Sequence, residues 1–217
     1  MALRSRTSPR GKGRLEAFSD GVFAIAITLL VLEIAVPHVA GRRLLEELLR
    51  QRSSYVAYFL AFMTIGSAWI AHSALTEAVD HVDAVFQRLN LLLLLLVGFL
   101  PFPTAVMSEY MSLVEREGGG EKVAVVFFGI VLLLISLVLF LLVRYAEREC
   151  LFVADAKEEQ AEDNRVRYQM LPSIVFYSVA IICGLLWPYL AVGLYILIGV
   201  FLLLPIRTLA RWLRRGD

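Results

Sequence analysis

The chain has 217 residues, 59% hydrophobic and 19% charged, and 21 basic against 20 acidic side chains leave a formal net charge of +1. Length alone allows one or two soluble domains, but charge is absent from Ser53 to Thr76, Leu89 to Ser108, Val123 to Val143 and Tyr168 to Ile206, and about 20 apolar residues suffice for a helix to cross a bilayer. The remaining segments are too short for a dinucleotide-binding or nuclease domain, and the balanced charge gives no footprint for a nucleic-acid partner.

From the N-terminus, a tail over 1–17 carries Arg4, Arg6, Arg10, Lys12 and Arg14. The apolar stretch that follows has an uncharged centre, Gly21 to Leu32, flanked by Asp20 and Glu33. A basic start before an apolar core also resembles a secretory signal. Asp20 at the edge of that core, and the absence of a convincing small-residue cleavage site in Glu33-Ile34-Ala35-Val36-Pro37, favour a retained membrane helix. Span one is therefore expected at 18–36. Arg42 to Arg50 sets leucines on one helical face and charges on the other, the pattern of a short helix lying in the membrane interface, with a solvated helix as the alternative.

Span two is expected at 53–75 and span three at 86–107, ended or kinked by Pro101 and Pro103. Glu115 to Glu121, with Gly118-Gly119-Gly120, reads as a flexible turn before span four at 122–144, and Arg144 to Arg167 as extended helix ends plus a loop. The last charge-free run is too long for one crossing. Trp187-Pro188 and Gly193 together read as a tight turn dividing it into span five at 169–187 and span six at 189–207, before a basic tail over 208–217. The expected fold class is an all-α membrane protein with six transmembrane helices, a six-helix domain over 18–207 between two short tails.

Basic residues near the spans set orientation. The N-terminal tail, the loop after span four (Arg144, Arg148, Lys157, Arg165, Arg167) and the last tail (Arg207, Arg211, Arg214, Arg215) fall on one side of an even number of spans, which places both termini in the cytoplasm. Arg42, Arg43, Arg50 and Arg52 on the outer side weaken that asymmetry. Cys150 and Cys183 fall in an inner loop and within span five and suggest neither a disulfide nor a metal site. There is no phosphate-binding glycine loop, no nucleophile elbow and no paired-histidine zinc helix, and His38, His72 and His81 lack ligand spacing. No enzyme activity and no cofactor are expected, and the carbonyl filter sequence of familiar K⁺ channels is also absent.

The first span is the unusual one. Asp20 and Glu33 lie about 20 Å apart along a helix, one near each edge of the hydrocarbon layer. Intramembrane carboxylates usually face protein or water, so one reading puts both on a water-filled path or in a polar cluster. For Asp20 the buried cluster is favoured, because Ser19-Asp20 is a helix-start signal and Arg14 is close in sequence. For Glu33 a place at the helix end among outer headgroups is favoured. Between the two acids Ile25, Leu29 and Leu32 follow i, i+4, i+7 spacing with Thr28 beside them, a stripe that is ordinarily packing or lipid contact.

The stretch from Arg14 through Phe18-Ser19-Asp20 to Glu33 resembles the signature of the transmembrane-protein-175 family of potassium channels, an arginine, three variable residues, then Phe-Ser-Asp at the start of the first helix. The resemblance continues in Trp69 and His72 of span two, Asn90-Leu91-Leu92 of span three and Leu100-Pro101-Phe102-Pro103-Thr104 at its end. Ser73 departs from it, where many relatives carry a second histidine, which leaves the polar network around His72 open.

The resemblance implies a single six-span unit per chain of the prokaryotic type, a homotetramer in the plasma membrane, and a central pore lined by the four first helices. It carries the constriction onto Ile25, Leu29 and Leu32, with Ile25 the narrowest ring, and Thr28 onto a hydroxyl layer proposed to aid selectivity, so K⁺ would pass near Ile25 and Thr28. Thr28 bonding its own helix one turn back is an equal alternative. Arg14, Phe18, Ser19 and Asp20 match the polar base of that helix, with Trp69, His72 and Asn90 around it. His72 reads as a structural bundle histidine or as a proton sensor. The function implied is passive K⁺-selective conduction with K⁺ and other monovalent cations as partners. The alternatives are a proton-coupled transporter using Asp20, Glu33 or His72, against which no inverted repeat is found, and a non-transporting scaffold.

Overall fold

The computed structural model describes residues 9–112, 119–152 and 160–203, with side chains over 11–111, 119–152 and 172–203. The regular elements among them are α1 (Pro9–Leu29), α2 (Leu44–Arg50), α3 (Arg52–Ala78), α4 (Ala84–Phe99), α5 (Pro101–Ser112), α6 (Gly120–Arg148), α7 (Gln160–Leu186) and α8 (Pro188–Leu203), with 3₁₀ turns at Leu30–Glu33 and Gly41–Arg43. Four helical stretches, Gly11–Glu33, Arg52–Ala78, Ala84–Met111 and Gly120–Arg148, are long and apolar enough to cross a membrane. Pro172–Leu186 and Pro188–Leu203 are apolar but shorter. Both shorter stretches are bounded by the limits of the described residues, Pro172 being the first described side chain of α7 and Leu203 the last described residue of α8.

Several helices outrun the charge-free runs from which the spans were read. α1 starts at Pro9, inside the basic tail, and α6 continues to Arg148. A helix satisfies its own backbone, so nothing ends it at the edge of the hydrocarbon; long basic side chains reach water from there. Beyond Leu29 the chain tightens into the 3₁₀ turn that carries Leu32 and Glu33.

Pro101 and Pro103 mark an interruption of span three without ending it. Leu100 alone separates α4 from α5, because the two prolines remove N–H groups that the preceding turn would have used. The Leu100 N–H turns to the Val97 carbonyl at 3.2 Å, and the Leu100 carbonyl accepts from both the N–H and the hydroxyl of Thr104, at 3.1 and 2.8 Å. At the other helical break the expected turn needs one correction. Trp187 is the sole residue between α7 and α8, with Pro188 opening the new helix where its missing N–H costs nothing, whereas Gly193 lies inside α8 with open space around it. The expected turn at Glu115 to Glu121 falls largely outside the described residues; Gly119, at φ 71°, precedes the first turn of α6.

α6 is the centre of the bundle. It packs against α4 and α5 on one side and the α7–α8 hairpin on the other, burying Phe128, Leu132, Ile135, Leu139 and Leu142. Contact with α8 is closest at Gly129, where an added Cβ would overlap the Tyr195 hydroxyl. α1 rests on α3 and α4 at the margin of the bundle.

At the end where α1 begins, a polar collar joins these helices. The Asp83 carboxylate caps α4 by accepting from the Val85 and Phe86 N–H groups at 3.1 and 2.9 Å and also accepts from the Tyr145 hydroxyl of α6. Val79 and Phe152 form an isolated antiparallel bridge, next to which the Asp80 N–H reaches the Leu151 carbonyl at 2.8 Å. Lys12 of α1 donates to the Glu77 carbonyl of α3 at 3.3 Å.

Candidate functional site

Two faces of α1 behave oppositely. Ser19, Phe23 and Ala26 recur at helical spacing and are buried against α3 and α4, and Leu30, in the 3₁₀ turn that follows, is buried where that turn meets α3 and α5. The other face is largely open in the single chain: Ile25, Leu29 and Leu32 are 60%, 43% and 73% exposed, against 2% for Phe23 and 0% for Leu30. Phe18, Gly21, Ala24 and Thr28 are exposed as well. The stripe singled out in the sequence is therefore no part of the chain's own core.

Thr28 bonds its own helix. Its hydroxyl lies 2.9 Å from the Ala24 carbonyl and 2.9 Å from the Ile25 carbonyl, so its proton is engaged while an oxygen lone pair stays available on the exposed face.

The base of α1 is held by two consecutive residues with different partners. The Asp20 carboxylate accepts from the Trp69 indole N–H of α3 at 2.9 Å. Ser19, fully buried, accepts from the Asn90 side-chain amide of α4 at 2.9 Å. The amide oxygen of Asn90 in turn faces His72 Nε2 at 2.7 Å. With that oxygen accepting, Nε2 carries the proton, and the buried Nδ1 has no protein partner among the described residues. The His72 ring also packs on Phe23, centroids 5.5 Å apart. One serine, one amide and one imidazole thus tie α1, α3 and α4 into a triangle.

The structure brings together Ser19, Asp20, Trp69, His72 and Asn90, and leaves Arg14 and Phe18 outside. Asp20 is exposed in the single chain, not enclosed in the expected buried cluster, and Ser19 takes the interior position. Arg14 is exposed and makes no ion pair with Asp20: α1 is already helical there, and six residues at 100° each leave the two about 120° apart around the axis. Lys12 occupies that end of the helix instead, 3.7 Å from Glu16. Glu33 is partly buried in the 3₁₀ turn, and His38 is exposed. Cys150 and Cys183 are free.

Sequence reasoning missed the polar ties at the far end of α1, where Gln51 donates to the Ala35 carbonyl at 2.8 Å and Ser108 to Ser54 at 2.7 Å. It also missed the collar, although Asp83 three residues before Phe86 is an N-cap pattern that could have been read.

The signature of the family described as the endosomal/lysosomal potassium channel TMEM175 matches residues 14–101, the stretch that contains most of α1 and all of this triangle. A protein from Chamaesiphon minutus, named a potassium channel, is 36% identical over 193 residues, covering 87% of this chain and 92% of its own. The chain belongs to the TMEM175 family. A second TMEM175 relative, from Streptomyces collinus and also named a potassium channel, is 44% identical over 126 residues; that match takes in 58% of this chain and 59% of the relative's length. The crystal structure of a Chamaesiphon minutus homologue, titled a lysosomal potassium-selective channel TMEM175 homolog, superposes with a TM-score of 0.73 at 34% identity, covering 89% of this chain and 96% of the other. The helical arrangement described above is thus the TMEM175 channel fold.

Proposed function

We propose that the chain is one subunit of a K⁺-selective cation channel with six membrane spans, in which α1 and its copies in partner subunits line a central pore. The observation that carries this reading is the open apolar face of α1, with Ile25, Leu29 and Leu32 exposed on a helix whose opposite face is fixed to α3 and α4. Membership of TMEM175, and the potassium-channel names of its relatives, support a conducting role for that face.

Four copies around an axis would set four Ile25 side chains about a narrow neck. Isoleucine offers no oxygen to replace an ion's water, so an ion must shed part of its hydration shell to pass, and K⁺ sheds water at lower cost than Na⁺. A neck of this kind closes by dewetting when the rings approach. The available lone pair of Thr28 lies one turn further along the same face and would meet the partly dehydrated ion. Asp20 and Ser19 hold the base of the helix and so fix the width of the neck. The cell membrane of a prokaryote, with both termini cytoplasmic, is the placement that suits the basic residues.

Purified protein in liposomes under a K⁺ gradient tests the reading. Passive flux that reverses at the K⁺ Nernst potential is expected. Uphill K⁺ movement driven by a proton gradient would replace the channel with a transporter, and absence of any flux would leave only a scaffold.

A further inference from the structure

We propose that α2, with the arginines around it, is an anionic-phospholipid site that anchors the outer end of α1. This rests on the membrane-spanning reading of α1 and α3 but not on ion conduction.

Within α2, Leu44, Leu45, Leu48 and Leu49 fall on one arc of about 140° at 100° per residue, and Glu46, Glu47 and Arg50 share the remainder. All four leucines are exposed in the chain and no residue of α2 is buried. The helix is also fixed in depth. It follows the 3₁₀ turn that ends the first apolar stretch by a short linker and precedes α3 by one residue, Gln51, so it sits where the hydrocarbon gives way to headgroups. An apolar arc held at that level is covered by acyl chains.

Charge selects the kind of lipid. Arg42, Arg43, Arg50 and Arg52 are exposed around two glutamates. Only Arg50 has a carboxylate among the described residues, Glu47 at 3.1 Å. Three guanidiniums are left at the level of lipid phosphates, and the guanidinium fork matches phosphate oxygens. Arginines near a span are disfavoured on the translocated side, and a ligand there accounts for their presence. The site reaches α1 through one bond: Gln51 hands its side-chain amide to the Ala35 carbonyl at 2.8 Å, just beyond the turn carrying Leu32.

The full-length protein in mild detergent, offered phosphatidylglycerol or phosphatidylcholine, tests the site by native mass measurement of retained lipid. Selective retention of phosphatidylglycerol is expected, weakened on the order of tenfold in the Arg42→Gln/Arg43→Gln double variant. In vesicles, a spin label at Leu45→Cys should be reached by dissolved oxygen and one at Glu46→Cys by an aqueous nickel chelate. Equal retention of the two lipids, retention unchanged in the double variant, or equal aqueous access at both labels would overturn the proposal. Neither measurement uses an ion gradient. Lipid selectivity in a chain without current would defeat the channel reading alone, and current without lipid selectivity would defeat this one alone.

Discussion

Ser19 and Asp20 are neighbours in the chain, yet a helix turns about 100° between them, so one enters the interior and the other stays at its margin. Asn90 is the hinge of that arrangement because it both donates to Ser19 and accepts from His72. Asn90→Ala should leave two buried polar groups without a partner and lower stability by about 1–2 kcal/mol, read as a fall in melting temperature in detergent. Asp20→Asn keeps an acceptor for the Trp69 N–H and should melt near the parent, whereas Asp20→Ala should not. On the open face, Ile25→Asn would place amides in the proposed neck and let ions keep or replace their water. Na⁺ permeability should rise relative to K⁺ in bilayer recordings while assembly persists. Leu30→Ala is the control: its side chain is fully buried, so about 2–4 kcal/mol of stability should be lost with the ion preference unchanged. If Ile25→Asn assembles and keeps the K⁺/Na⁺ permeability ratio, the constriction lies at Thr28, Leu29 or Leu32.

At the level of elements, composition and periodicity revealed the apolar helices and the amphipathic α2, because both depend on local pattern. The family signature in turn pointed to the residues of the triangle. Periodicity alone did not show which face of the first span stays open, since Leu30 and Leu32 are the same residue type and only their surroundings distinguish them; the family signature pointed to that face. Gly193 misled for a related reason: a glycine signals a turn only where the backbone needs it, and Trp187-Pro188 had already made the break. Gly129 carried no signal at all, being one small residue in a long apolar run, yet the Tyr195 hydroxyl occupies the space a side chain would take. Gly129→Ala should push α8 from α6 and cost about 1–3 kcal/mol, seen as a lower melting temperature. Tyr195→Leu in the same chain should recover part of the loss, because the obstructing ring is gone.

The whole molecule has an asymmetry that a single chain does not resolve. α6 is surrounded, while α1 sits at the edge with Asp20 and a row of aliphatic side chains exposed. A carboxylate facing lipid is costly, and a closed ring of copies removes that cost by enclosing it with protein and water. A four-fold assembly is the expected result of native mass measurement or of crosslinking in mild detergent, and a consistent monomer would contradict it. Periodicity within one chain does not encode that closure, because the partner proposed for the open face is the same face of another copy.

The bond between Trp69 and Asp20 makes the protein its own optical gauge. The chain has three tryptophans, and among the described residues only Trp69 is tied to α1. Replacing Trp187 and Trp212 with phenylalanine would leave a single emitter whose indole N–H is held by a carboxylate of the proposed pore helix. Any tilt of α1 that stretches this bond changes the polarity around the excited ring. The emission maximum of an unlabelled protein should therefore shift as the neck opens and closes, and Asp20→Ala should abolish that shift.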